Sequence, residues 1–163
     1  MAQGHASSFN LSRLFTRMNG LIVGLLRSPL HALVDPALML VTVTGRKSGK
    51  RYTIPVGYQR DGERITVLVS RARTKKWWRN YREPGPIEVY TRGRSHHATA
   101  TVVLPGTPEF ASAFETTFEQ MPWLSPQFGI RYARGSGLTT EQRAILAGEG
   151  AVVRIELAVP RGD

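Results

Sequence analysis

The sequence predicts one antiparallel α+β domain, residues 1–163, whose core is a closed or split β-barrel. Three observations support this fold class. Six or so short β-prone runs follow one another, and most are joined by tight turns, as in a meander. No segment repeats at a fixed period, and no linker divides the chain. A chain of 163 residues, 41% of them hydrophobic, is long enough to bury one sizeable core.

The N-terminal part is expected to be a loose tail followed by a helix. Residues 1–10 are small and polar, and they lack the basic region of a secretory signal. Over residues 11–27, apolar side chains recur at three- and four-residue steps, which predicts an amphipathic helix. This helix either packs on its own domain or lies on an anionic membrane surface. Its longest apolar run, residues 21–26, is too short to span a bilayer.

The barrel is predicted over residues 38–157, and it begins with a β-hairpin. β-prone runs at 38–44 and 52–58 flank a connection in which Gly45 and Gly49 are free to adopt positive φ angles. Its tip carries four cations, Arg46, Lys47, Lys50 and Arg51. The turn leaves backbone N–H groups unpaired beside them, so the tip suits a phosphate or a carboxylate. On composition alone, a solvated turn guarded by charge is the favoured alternative.

The remaining segments complete the barrel and add helices. Residues 64–70 alternate in the manner of a strand. Residues 71–82 form at most a short helix, with Thr74 as its cap. Apolar spacing predicts a helix over about 108–121. Further strands are predicted at 87–91, 96–104 and 151–157, a helical segment at 139–146, and an irregular aromatic segment at 123–137.

Several function classes lack the residues that they need. The chain has no cysteine, which excludes disulfides and thiolate metal sites. The four histidines, His5, His31, His96 and His97, show no metal-ligand spacing, so no metal site is predicted. No Gly-x-Ser-x-Gly motif occurs, and Glu115 and Glu119 have the spacing of a solvated helix face. Hydrolysis by a triad, a metal or a carboxylate pair is therefore poorly supported.

The charge balance indicates an anionic partner. The formal net charge is +10, which suits nucleic acid, a membrane surface or a polyanionic small molecule. A second basic cluster at residues 71–76 precedes Trp77 and Trp78. An indole beside cations can stack on a planar ring, or equally on a nucleic-acid base. The plainer interpretation is one core tryptophan and one that partly covers lysine stems.

An ordered set of motifs runs through the first half of the predicted barrel. It consists of Thr-Gly-Arg-Lys-Ser-Gly-Lys at 44–50, Pro55-Val56-x-Tyr58, Arg60-Asp61-Gly62, a strand ending in Ser70, and Trp77-x-x-Asn80. In order and in spacing, over roughly residues 38–103, this set resembles the deazaflavin-dependent nitroreductase family. That family belongs to the split β-barrel flavin-binding superfamily, so the resemblance implies a split barrel of the FMN-binding type.

The resemblance also implies a cofactor and its contacts. The cofactor is coenzyme F420, a deazaflavin that carries a phosphodiester and an oligoglutamate tail, with FMN as the second choice. The residues implied for the tail are Arg46, Lys47, Ser48 and Lys50. Those implied for one side of the ring are Pro55, Val56, Gly57 and Tyr58. Those implied for the other side are Ser70, Arg71, Trp77 and Asn80.

The implied reaction is hydride transfer from reduced F420 to a hydrophobic, electron-poor acceptor, which is a quinone, an enone or a nitroaromatic. Because the cofactor supplies the hydride, no strongly basic or nucleophilic side chain is required. Ser70 and Tyr132 are the candidate catalytic hydroxyls, which orient the acceptor or pass a proton. The candidate acceptor-binding residues are Trp123, Phe128 and Tyr132. The aromatic segment is longer and poorer in tyrosine than in nitroimidazole-reducing members of the family.

Two other functions stay open at this point. One is a non-catalytic carrier of F420 or lipid at the membrane surface, and the other is a nucleic-acid-binding barrel. The preferred prediction is a cytoplasmic reductase that binds no nucleic acid. Peripheral contact with the inner face of the membrane would come through the helix at 11–27. A homodimer is expected only by analogy with other split barrels.

Overall fold

The computed structural model describes residues 20–24, 27–28 and 38–158. The predicted tail and most of the predicted amphipathic helix lie outside these residues, although residues 20–24 are helical. The strands are β1 (Leu38–Thr44), β2 (Arg51–Gly57), β3 (Gln59–Asp61), β4 (Arg64–Ser70), β5 (Gly85–Thr91), β6 (Arg94–Val103) and β7 (Gly150–Leu157). The helices are α1 (Pro108–Gln120), α2 (Thr140–Glu149) and two 3-10 helices, Trp77–Tyr81 and Pro122–Phe128.

All seven strands belong to one antiparallel sheet in the order β2-β1-β5-β6-β7-β4-β3. The two end strands of this order, β2 and β3, are joined by the single residue Tyr58. β2 also contacts β4, although no ladder joins these two strands. The sheet is therefore curled into a barrel with one seam, and the predicted split-barrel fold is confirmed.

Alternation along the strands produces two cores, one on each face of the sheet. Inside the curl, side chains such as Val41, Val67 and Ile155 are fully buried. Trp77 and Tyr81 of the first 3-10 helix also pack into this interior core. On the outer face, β4, β6 and β7 are covered by a helical layer, which consists of α1, the second 3-10 helix, the loop after it and α2. The second core lies in this layer and includes Val103, Phe110, Phe114, Phe118, Phe128, Tyr132 and Val152.

The two α-helices begin where local sequence signals place them. Thr107 accepts the Phe110 N–H at 3.2 Å, and Pro108 occupies the first helical turn. At α2, Thr139 and Gln142 form a reciprocal capping box. This helix continues to Glu149, three residues past its predicted end.

Three local expectations are wrong. Thr74 does not cap the first 3-10 helix, because its hydroxyl donates to the Arg71 carbonyl at 2.9 Å. The segment expected to be irregular contains the 3-10 helix Pro122–Phe128. Gly45 does not adopt a positive φ, whereas Gly49 does, at 64°. Gly45 is needed for a different reason, since a Cβ there would lie 2.7 Å from the Ser48 hydroxyl oxygen.

Candidate functional site

The β1–β2 hairpin tip presents backbone donors to solvent. Gly45 N–H donates to the Lys50 carbonyl at 2.9 Å, and Gly49 N–H donates to the Gly45 carbonyl at 2.8 Å. The Ser48 hydroxyl accepts the Lys50 N–H at 3.3 Å. The amides of residues 46–48 have no acceptor among the described residues. A turn with successive open N–H groups is an anion-binding concavity.

The cations of the tip divide into two kinds. Arg51 forms an ion pair with Glu88 of β5, so its charge is already matched. Arg46, Lys47 and Lys50 are exposed, and none of them has an acidic partner in the described part of the chain. The tip therefore carries three uncompensated charges beside three open amides, and an anion bound there would receive charge-assisted hydrogen bonds.

The seam leaves two strand edges open. β2 pairs with β1 over its whole length, from Arg51 to Gly57, and its other edge carries no ladder. β3 pairs with only the first three residues of β4, so residues 67–70 of β4 are open on the side that faces β2. Pro55 lies in β2, as is typical of an edge strand because proline donates no N–H. The predicted ring contacts at 55–57 and Ser70 therefore lie on the two strands of this seam, and Tyr58 directly follows β2.

Side chains close to the seam are held by the barrel core. Val56 and Tyr58 pack against the interior core, and the Tyr58 and Thr91 hydroxyls lie 3.1 Å apart. Burial, with a smaller contribution from Tyr52 of β2, raises the pKa of Tyr81 to about 12. The first 3-10 helix contacts β6 and β7. The predicted cluster at 71–80 directly follows β4, the strand that faces β2 across the seam.

Ser70 has a partner that the sequence did not identify. The Lys75 ammonium donates to the Ser70 hydroxyl oxygen at 3.2 Å. An ammonium has donors only, so Ser70 is the acceptor here and its own O–H remains available to a ligand. Burial of the ammonium, and then repulsion from Arg71, lowers the pKa of Lys75. The basic run at 71–76 was the available signal, but it does not reveal which cation reaches Ser70.

The two tryptophans have different environments. Trp77 is buried in the interior core, in an edge-on contact with Tyr81 at 6.3 Å between ring centroids. Trp78 is partly buried and donates its indole N–H to the Ala72 carbonyl at 3.0 Å. The guanidinium groups of Arg79 and Arg82 lie over its ring. The plainer interpretation, one core indole and one covering indole, is confirmed, with arginines instead of lysines against Trp78.

The other predicted ring contacts have different exposures. Arg71 is exposed and has a positive φ of 51°. Asn80 is half-buried.

Tyr132 is engaged within the helical layer. Its hydroxyl donates to the Glu119 carboxylate, which also accepts the Gly135 N–H at 2.8 Å. These two bonds lower the pKa of Glu119, and the hydrogen bond with Glu119 raises the pKa of Tyr132 to about 12. The two candidate hydroxyls therefore have different partners, Lys75 for Ser70 and Glu119 for Tyr132. Phe128 is also buried in this layer, whereas Trp123 is 69% exposed.

A large cavity lies away from most of the predicted residues. It has a volume of about 760 Å³ and lies between α1 and the outer face of β3, β4 and β7. Of the predicted site residues, Tyr58 alone lines it.

No group of three or more His, Asp or Glu residues suited to a metal ion is found within 20–24, 27–28 and 38–158. None of the helices described is long and apolar enough to cross a membrane.

The fold and the site define the chain as a split-barrel protein with a cationic hairpin at an open seam. Residues 12–126 match the family model of the F420H2-dependent quinone reductases, and the chain belongs to that family. The membership in a deazaflavin-dependent split-barrel family that the motifs indicated is thus confirmed. The protein is an F420-dependent reductase, and its cofactor is reduced F420.

Solved structures support the fold. A chain described as a domain-swapped dimer has a TM-score of 0.54 at 18% identity, with 92% of this chain and 100% of that chain covered. The F420-H2 dependent reductase FDR-A has a TM-score of 0.52 at 18% identity, with 75% and 96% covered. HutZ, a heme storage protein from Vibrio cholerae, has a TM-score of 0.51 at 12% identity, with 85% and 89% covered. No curated protein matches the chain.

Proposed function

We propose that this reductase transfers hydride from reduced F420 to a quinone-type acceptor, with the F420 tail at the hairpin tip and its ring along the seam. The observation that carries this assignment is the set of uncompensated charges on Arg46, Lys47 and Lys50, beside the open amides of residues 46–48. A phosphodiester and glutamate carboxylates need this donor set, whereas a neutral ligand would not.

Residues on both sides of the seam would hold the ring. On one side these are Pro55, Val56 and Gly57 of β2 and Tyr58, which follows β2, and on the other side they are Ser70, Arg71 and Asn80. Trp77 would contribute indirectly, because it is buried in the interior core and holds the first 3-10 helix in place. Bound F420 supplies the hydride, and the chain's own part is to orient the ring and to exclude water from it.

The hydrogen bond from Lys75 to Ser70 makes the Ser70 hydroxyl a hydrogen-bond donor at the seam. Because Lys75 donates to the Ser70 oxygen, the Ser70 proton is free to point at a carbonyl oxygen of ring or acceptor. A positive charge on Lys75 also stabilises negative charge that develops nearby during hydride transfer. Tyr132 is a weaker candidate for this role, since its proton is donated to Glu119.

A quinone is the preferred acceptor class because the family's description names quinone reduction, and an enone or a nitroaromatic is the second choice. The test is to follow the absorbance of reduced F420 in the presence of menadione, cyclohexenone and a nitroaromatic. We expect protein-dependent oxidation that is fastest with menadione. If the protein binds reduced F420 but oxidises it with none of the three acceptors, the result would instead support the carrier function.

Binding to nucleic acid is the second candidate, since the net charge of +10 and the exposed rings of Trp123 and Tyr52 favour it. Titrations with F420 and with an oligonucleotide at increasing salt separate the two. We expect F420 to bind with micromolar affinity and the oligonucleotide signal to vanish at moderate salt. Oligonucleotide binding that survives salt, without F420 binding, would contradict the proposed function.

Assembly and membrane contact are further parts of the proposal. The neighbour described as a domain-swapped dimer favours a homodimer, which light scattering after gel filtration would detect. The apolar spacing over residues 11–27 favours peripheral attachment to anionic membranes. Pelleting with anionic liposomes, with and without residues 1–27, tests it. Equal pelleting of both forms would dismiss the attachment.

A further inference from the structure

The 760 Å³ cavity has the composition of a ligand site. Its floor is aliphatic, from Val103 and Val152 of the sheet and Ala113 of α1. Hydroxyl groups of Ser112, Thr116 and Thr66 line its walls. Small-molecule sites combine such an apolar surface with a few polar groups that fix orientation.

Four arginines surround this cavity, and their partners differ. Arg154 is paired with Glu109 at 2.7 Å, and Arg64 is paired with Glu156 at 3.0 Å. Arg60 lies 3.6 Å from the Glu63 carboxylate and donates its Nε–H to the Gly62 carbonyl at 2.8 Å. Arg92 has no acidic partner in the part of the chain that the structure describes.

The backbone at Arg92 is a second observation at the same place. Arg92 has a φ of 50°, in the left-handed region, at the two-residue turn between β5 and β6. A side chain other than glycine, asparagine or aspartate is unusual there, because the Cβ crowds the backbone in this conformation. This strain is retained at a residue whose charge is uncompensated and which lines the cavity.

We infer that this cavity binds a small amphipathic anion, whose apolar body lies on Val103, Val152 and Ala113 and whose carboxylate, sulfonate or phosphate group is held by Arg92. Arg60 is the second cation of the site. Asp61 is the one lining carboxylate without an ion pair among the described residues, so a dianion would be held less well than its charge suggests. This site is separate from the F420 tail site and does not depend on the proposed function.

The experiment uses anilinonaphthalene sulfonate, an anionic aromatic probe that fluoresces in apolar sites, with the full chain. We expect saturable binding, and Arg92→Glu is expected to weaken it about tenfold, as for one charge-assisted hydrogen bond lost to repulsion. Arg94→Glu is the matched control, because it makes the same change of charge two residues away, at the start of β6, and Arg94 does not line the cavity. It should change the affinity less than twofold.

Two further variants and a neutral probe test whether the anionic probe binds in the cavity and through its sulfonate. Thr116→Trp, on the exposed cavity side of α1, is expected to fill the space and abolish probe binding while the melting temperature is retained. Lys47→Ala with Lys50→Ala is expected to leave probe binding unchanged. Neutral phenylnaphthylamine, which lacks the sulfonate, should bind wild type and Arg92→Glu equally.

Three results would overturn the inference. Equal losses for Arg92→Glu and Arg94→Glu would mean that the probe responds only to net charge. Displacement of the probe by F420 would place it in the seam instead of the cavity. The absence of saturable probe binding would mean that the cavity holds no such anion.

Discussion

The hairpin tip and the helical layer satisfy their polar groups in opposite ways. In the helical layer, Glu119 accepts two hydrogen bonds, and the buried Ser125 hydroxyl donates to the Pro122 carbonyl and accepts the Tyr132 N–H. Across the described residues, no buried side-chain polar atom lacks a partner. The tip instead exposes charges and amides for which the described residues offer no partner. The difference indicates that the helical layer stabilises the fold, whereas the hairpin tip binds a ligand.

The largest expected effect breaks the helical layer and leaves the tip intact. Phe114 is fully buried and contacts the rings of Phe110, Phe118 and Phe128. Phe114→Ala is expected to lower the free energy of unfolding by about 3–5 kcal/mol. Urea denaturation measures this, and the fraction that remains folded should bind F420 with wild-type affinity. Loss of affinity in that fraction would mean that the two regions are coupled.

The converse change removes charge from the tip. Lys47→Ala with Lys50→Ala is expected to weaken F420 binding by at least about a hundredfold, since each of the two charge-assisted bonds contributes about 1.5–3 kcal/mol. Calorimetry gives the affinity, and the melting temperature should be unchanged. The control, Arg94→Ala with Arg131→Ala, removes the same charge from exposed positions away from the tip. If both double variants bind F420 as the wild type does, the tail assignment is wrong.

A smaller effect is expected from the pair at the seam. Lys75→Met leaves Ser70 without its donor, and we expect about a tenfold loss in kcat for menadione reduction, while Lys76→Met, one residue away, has little effect. Lys75→Arg should restore part of the loss. Equal behaviour of the two methionine variants would remove Lys75 from the site.

The Lys75 charge also makes binding depend on pH. Its pKa is lowered in the free protein, so an anion bound beside it would raise that pKa and take up a proton. F420 affinity should therefore fall as the pH rises through the lowered pKa of Lys75, and Lys75→Met should lack this dependence. Arg71 is the charged neighbour that contributes to the shift. A calorimetric pH series checks this.

The smallest effect concerns Tyr132. Tyr132→Phe removes the hydrogen bond to Glu119, so the pKa of Glu119 should rise toward its ordinary value. A depressed carboxyl pKa stabilises the fold above the unfolded pKa, and that contribution is lost as the pH falls through the folded pKa. The variant should thus lose less stability on acidification, and carboxyl NMR titration reports the shift directly. A large fall in kcat with unchanged stability would instead make Tyr132 a catalytic residue.

The sequence predicted those parts of the molecule that local chemistry determines. The hairpin follows from β-branched runs around Gly49, and α1 follows from Pro108 and phenylalanines at four-residue steps. Turn and capping signals act within a few residues, so they are visible in the chain itself.

The parts that were missed depend on distant residues. Tyr132 meets Glu119 only because the loop after the second 3-10 helix folds back on α1. Nothing in the sequence decides which of Trp77 and Trp78 enters the core, because both are apolar and adjacent. The cavity is formed where α1 and β7 meet β3 and β4, which lie about 40 or more residues earlier in the chain. Hydrophobic periodicity and secondary-structure propensity carry no information about contacts between distant residues.

The most direct test of the tail assignment is to follow the backbone amide resonances of Arg46, Lys47 and Ser48 by NMR during titration with F420 and with a ring-only deazaflavin that lacks the tail. We predict that F420 shifts these three amides and that the ring-only compound shifts only residues of the seam. Equal shifts with both compounds, or shifts that leave the hairpin tip unaffected, would contradict the assignment.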